Sequence, residues 1–223
     1  LLDKVLADPA YTISPRGAVE WSKEHQQAHG PPGSGFQYSD TNYHLLGLIV
    51  ESVTGMPFHD ALKEHIFTPL GMTHSYMLHF SDPIEEPPHP IADFYSGDVR
   101  LTPHRGYASV DYAGGGVVAP AQDQLKFMQA LASFQIITGA TFEKMKDWVS
   151  YAFGIDYGYG LMKFKTIPIL MPKKFNVWGH AGATGAFMFY HPAEDIHLIG
   201  NFHQFGYERK GVRFMMKVIN KLI

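Results

Sequence analysis

Two short stretches hold residue types that could do chemistry. In GFQYSDTNYHLLG, residues 35–47, Tyr38 stands two residues before Asp40, where a loop runs into a helix. In GHAGATG, residues 179–185, His180 is followed by the small residues Ala181, Gly182 and Ala183. A phenol has an ordinary pKa near ~10 and is a poor base at neutral pH. It becomes useful in proton transfer when neighbouring cations favour the phenolate or hold its hydrogen bond. Small residues on an edge strand let the backbone lie close against a bound carbonyl. A backbone N–H there stabilises developing negative charge, typically by about 3 kcal/mol in a transition state. Plainer roles exist for both stretches. Ser39, Asp40 and Thr41 are all good N-cap residues, and HAGATG reads equally as a tight entry into a strand.

The elements around these residues follow from apolar spacing. PRGAVEWSKEHQQAH, residues 15–29, predicts a helix with Pro15 near its start, broken by GPPGSG. From Thr41 the apolar Leu46, Ile49, Val50 and Val53 recur at three and four, and Gly55 fits the position just past a helix end. A further helix carries Phe58, Leu62 and Ile66 on one face and stops at TPLGM. Residues 81–107 are proline-rich and aperiodic, a long surface excursion of the kind that borders a site. AGGGVVAP suits close backbone packing beside a cleft and lacks the spacing of a nucleotide fingerprint. Pro120 then opens a helix with Leu125, Met128 and Leu131 inward.

The character changes near residue 153. YGYGLMKF and NVWGH read as strands, and GAFMFYHP and IHLIGNFHQ as a hairpin around PAED. The final RKGVRFMMKVINKLI places Val212, Met215, Met216, Ile219 and Leu222 on one helix face. The expected fold class is α+β: a mostly helical lobe over residues 1–152, and a sheet lobe over 153–223 closed by a C-terminal helix.

Composition narrows the function. Hydrophobic residues make up 45% and charged residues 17% of 223, the balance of a globular chain with a real core. A net charge of −3 gives no footprint for nucleic acid or an anionic membrane. With no cysteine, disulfides, thiolate metal sites and a cysteine nucleophile are excluded. That absence suits an extracytoplasmic protein without disulfides. The histidines, 13 in all, are mostly scattered. His25 and His29 would share a helix face, but no carboxylate completes a zinc site, so no metal and no cofactor are expected. No apolar run approaches the ~18 residues that span a bilayer.

Three segments, in order, resemble one family. YSDTNYHLLGLIVESVTG with IFTPLGM resembles the tyrosine-motif region of class C serine β-lactamases and their penicillin-binding, DD-peptidase and esterase relatives. AGGGVVAPAQDQLKFMQAL resembles their glycine-rich turn and following helix, and GHAGATGAFMFYHPAEDIHLIGNF their third motif. The resemblance covers nearly the whole chain, as the C-terminal two-thirds of a family member. It implies a β-lactamase/transpeptidase-like fold and acyl transfer through a serine ester on a β-lactam, a D-alanyl peptide or a small ester. Tyr38 matches the motif tyrosine, which exchanges protons with the serine and the leaving group. Asp40 stands where Asn is usual. His180, Ala181 and Gly182 match the third motif, and Ala183 would offer its N–H to the oxyanion.

The family nucleophile lies in S-x-x-K before the tyrosine motif, and no serine here is followed by lysine at i+3. TFEK, Thr141 to Lys144, has the spacing with threonine, in the wrong order. The expectation is a fragment, inactive alone, whose sheet and site need an upstream segment of the same protein. The partners expected are a small-molecule or peptide substrate and that segment, with no nucleic acid. The expected location leans extracytoplasmic, in the cell envelope or secreted. The alternative is a degenerate, non-catalytic relative that binds a ligand or partner.

Overall fold

The computed structural model describes residues 2–31, 33–167 and 171–223. Pro32, within the predicted break GPPGSG, lies outside the described residues. The chain folds into two compact units. One takes the residues up to Asp93 together with Val99–Asp123, and the other takes Phe94–Asp98 and Gln124–Ile223.

The first unit is helical: α1 (Leu2–Ala7), α2 (Pro15–His25), α3 (Asp40–Thr54), α4 (Phe58–Leu62), which runs into a π-helical turn over Lys63–Phe67, and α5 (Arg105–Gly115). The Ser14 hydroxyl accepts the Gly17 N–H at 3.0 Å and Pro15 takes the first turn, so α2 starts where its sequence predicts. It ends at His25, short of residue 29, with that ring stacked on Trp21 at 4.4 Å. α3 ends at Gly55, which is left-handed at φ 71°.

The periodicity of α3 predicts the helix but not the side it buries. Its buried residues are His44 and Gly47, whereas Leu46, Ile49 and Val53 are 54%, 56% and 80% exposed. Small residues decide this. A Cβ on Gly47 would lie 2.7 Å from the Ala113 Cβ, so α3 and α5 approach along Gly47 and the aliphatic stripe is left outside.

α5 kinks at Tyr112, whose hydroxyl donates to Glu51 Oε1 at 2.6 Å. The Phe58 N–H reaches the same oxygen at 3.1 Å. Asp123 is buried and accepts from the Ser75 hydroxyl at 3.0 Å and the His74 N–H at 3.1 Å. This tie joins the end of the glycine-rich segment to Tyr76–Met77, which pairs antiparallel with Val117–Val118.

The second unit holds most of α6 (Ala121–Ala132), α7 (Gly139–Met145), a six-stranded sheet and α8 (Glu208–Leu222). The strands are β1 (Val149–Ala152), β2 (Ile155–Tyr157), β3 (Met162–Phe164), β4 (Trp178–Ala181), β5 (Phe187–His191) and β6 (Ile196–Gly200). They lie side by side in chain order, each antiparallel to the next. Alternation along β5 supplies both faces. Phe187 and Phe189 join Phe164, Val177 and Leu198 beneath Met215 and Ile219 of α8. Met188 and Tyr190 pack towards Trp178, Leu161, Phe142, Leu131 and Met128 under α6 and α7.

Three details differ from the sequence reading. YGYGLMKF is not one strand: β2 ends at Tyr157, a turn closes with the Gly158 N–H on the Leu161 carbonyl at 2.8 Å, and β3 follows. The sheet opens at Val149, ahead of residue 153, with a first strand of four residues that are all exposed, so no buried face marks it. The HAG strand is not an edge strand, since β4 pairs with both β3 and β5.

Candidate active site

In the first unit the Tyr38 hydroxyl donates to Asp40 Oδ1 at 3.0 Å. Asp40 is the first residue of α3, where the helix end favours a negative charge. Ser39 holds the N-cap position in extended backbone, but its side chain makes no capping bond. Thr41 is also spared from capping, its hydroxyl 2.9 Å from that of Ser22. Asp40 is exposed and Tyr38 half-buried, with its ring against Tyr43 at 5.9 Å between centroids. A phenol so placed has its proton held on the carboxylate at the helix entry.

Sequence reasoning missed a second carboxylate beside this pair. Asp111 of α5 is half-buried and bonded to Tyr107, one helical turn earlier. Burial and then the Asp40 charge push its carboxyl up to about 6, against the pull of the Tyr107 hydrogen bond. Burial, followed by the Asp111 charge, pushes the Tyr107 hydroxyl far above the usual phenol range. The signal was present: tyrosine and aspartate at i and i+4 meet on one helix face. The last residue of α5 makes room, since a Cβ on Gly115 would sit 2.9 Å from Asp111 Oδ2.

The raised value makes stability depend on pH in a definite direction. The folded carboxyl titrates near 6 and the unfolded one near 3.8. Stability from protonated Asp111 is therefore full below about pH 4 and is lost as pH rises towards 6. Asp111→Asn should remove that fall and leave the protein more stable than the parent at pH 7, by on the order of 1–3 kcal/mol. Urea unfolding at several pH values reads this. A variant less stable than the parent at pH 7 would refute a destabilised buried carboxylate.

In the second unit, pairing of β4 with β3 ends at Met162–Gly179, whereas pairing with β5 continues to Ala181–Phe187. No side chain fits at Gly179, where a Cβ would strike the Met188 carbonyl. His180 follows, its Nε2 2.9 Å from the Tyr157 hydroxyl and its ring edge-on to Tyr157. Beyond Ala181 the chain turns: the Gly182 N–H donates to the Ala186 carbonyl at 2.8 Å and the Gly185 N–H to the Gly182 carbonyl at 3.0 Å. The Ala183 carbonyl accepts the Gly206 N–H at 2.8 Å, while the Ala183 N–H has no partner among the described residues. The predicted residues thus form two groups, Tyr38 with Asp40 in one unit and His180 through Ala183 in the other. Tyr112 serves the core through Glu51. Among the described residues no His, Asp and Glu group could hold a metal, and no helix is long and apolar enough to cross a membrane.

Comparison with known proteins agrees with the three sequence segments. Penicillin-binding protein 4 of Amycolatopsis lactamdurans is 27% identical over 175 residues, covering 70% of this chain and 43% of that protein. A D-stereospecific amidohydrolase from a Streptomyces species superposes with a TM-score of 0.71 at 25% identity, over 91% of this chain and 60% of that one. The D-amino acid amidase of Ochrobactrum anthropi SV3 gives a TM-score of 0.75 at 24% identity, over 96% and 65%. The chain thus spans less than half the length of the curated relative and under two thirds of these structures. The Beta-lactamase family profile matches residues 11–214. With nearly the whole chain inside that match, and the fold shared, this chain belongs to the Beta-lactamase family.

Proposed function

We propose that this chain supplies the proton-transfer and oxyanion parts of a serine acyl-transfer site. The observation that carries this reading is the Tyr38 hydroxyl, held at 3.0 Å by Asp40 at the entry to α3, within the tyrosine motif. In the proposed reaction a serine Oγ attacks the substrate carbonyl carbon. Tyr38 accepts the serine proton as its own passes to the leaving amine or alkoxide. The Ala183 N–H receives the oxyanion. His180 provides a titratable cation for a substrate carboxylate. The substrate class is a β-lactam, a D-alanyl peptide or a small ester. The names of the similar proteins, a penicillin-binding protein and a D-stereospecific amidohydrolase, support this range.

The serine and its lysine would come from residues upstream of Leu1. Two observations support that. No serine in these 223 residues has lysine at i+3. The stripe Leu46, Ile49 and Val53, on the helix that begins with Asp40, is exposed and offers an apolar seat for such a segment.

Intact-mass spectrometry after incubation with a labelled penicillin tests the proposal. The 223 residues alone should give no adduct, because nucleophile and base act as a unit and what remains cannot compensate. The protein extended upstream should carry one penicilloyl group, on a serine outside these residues. An adduct on the isolated chain would overturn the division of the site. No adduct on either protein, with reversible binding retained, would favour a non-catalytic binding module.

A further inference from the structure

We infer that Tyr157 is a positioning residue for His180, engaging Nε2 and so setting which ring nitrogen His180 presents to substrate. This rests on the acyl-transfer reading only for the word substrate; the geometry stands by itself. Tyr157 closes β2 and is 3% exposed, so its hydroxyl needs a partner inside the fold. Its backbone is in register with Met162 of β3, which is in register with Gly179 of β4, the residue before His180. The phenol therefore reaches the imidazole where the β3–β4 ladder has just ended. Its oxygen lies 2.9 Å from Nε2. The two rings meet edge to face at 85°, with centroids 5.6 Å apart, and Tyr151 packs on Tyr157 from 5.7 Å.

Such a clamp restricts both the plane and the tautomer of the imidazole. The nitrogen that carries the proton is set by the hydrogen bond the other nitrogen makes. With the Tyr157 O–H donating to Nε2, neutral His180 holds its proton on Nδ1. On protonation Nε2–H donates to the phenol oxygen instead, so the clamp survives the change of charge. The adjacent carboxylate does not compete for the ring: Asp156 is held by Lys165 Nζ at 2.7 Å and Lys163 Nζ at 3.8 Å.

The tautomer is directly measurable by long-range nitrogen–proton correlation on histidine-labelled protein, above the pH at which His180 titrates, with His180→Gln for assignment. Neutral His180 should carry its proton on Nδ1. Tyr157→Phe keeps the ring and deletes the donor, and should move the tautomer ratio roughly five-fold or more towards Nε2–H, the scale of one hydrogen bond. A parent protein already in the Nε2–H form would overturn the inference, and so would an unchanged ratio in a folded Tyr157→Phe. If that variant does not fold, the parent tautomer still decides. The readout needs no turnover, so it can fail or succeed independently of the penicillin test.

Discussion

Tyr38→Phe, in the protein extended upstream, should slow acylation by at least ~100-fold, the lower end of what a positioned acid–base group supplies. The substitution is conservative for the fold. It keeps the ring that packs on Tyr43 and removes only the hydroxyl, which donates to exposed Asp40. The chemical step should collapse in a variant that still folds. Asp40→Asn separates the two roles of the aspartate. Its amide oxygen can still accept the Tyr38 proton, and the resemblance expects Asn at this position. That variant should retain far more activity than Tyr38→Phe. Stopped-flow acylation with a chromogenic β-lactam or activated ester reads both variants. A Tyr38→Phe protein that acylates at the parent rate would remove Tyr38 from the chemistry and leave it a neighbour of the helix entry.

Much of this arrangement is legible in the sequence, and the illegible parts have definite causes. α2, α3 and α8 follow from caps and apolar period: Ser14 and Pro15 open α2, Gly55 closes α3, and Met215 and Ile219 anchor α8. Local chemistry fixes those points. The buried side of α3 escaped because period reports an amphipathic helix, whereas the choice of neighbour was made by Gly47 against Ala113, 66 residues apart. β1 escaped because four residues, all exposed, are too short a run to set a strand apart. Within the candidate site, Tyr38, Asp40 and His180 stand out by type and motif. Asp111 and Tyr107 do not, because i, i+4 pairs are common on helices and only folding brings this one near Asp40. Tyr157 is the same case on a sheet, since its meeting with His180 depends on the register of three strands.

The oxyanion role of Ala183 lends itself to a single-atom test. Within the turn after β4, the N–H groups of Gly182 and Gly185 are already spent on the carbonyls of Ala186 and Gly182. Ala183 is exposed, its carbonyl is engaged by Gly206, and its N–H has no partner among the described residues. A donor in that state is oriented by its neighbours yet available, which is what preorganised stabilisation of a developing charge requires. Replacing Ala183 by its α-hydroxy analogue turns the 182–183 amide into an ester and deletes this one N–H. The side chain stays, and the Gly182 carbonyl remains as a weaker acceptor for Gly185. Acylation should fall by about 10²–10³-fold, as when one oxyanion donor is lost, with substrate affinity changed far less. The same exchange at Thr184 weakens the Ala183 carbonyl, which accepts from Gly206 at 2.8 Å, so it controls for loosening of the turn and should leave acylation near the parent rate. Equal losses at the two positions would mean that the turn had simply loosened. Parent-like acylation with the ester at Ala183 would place the oxyanion elsewhere.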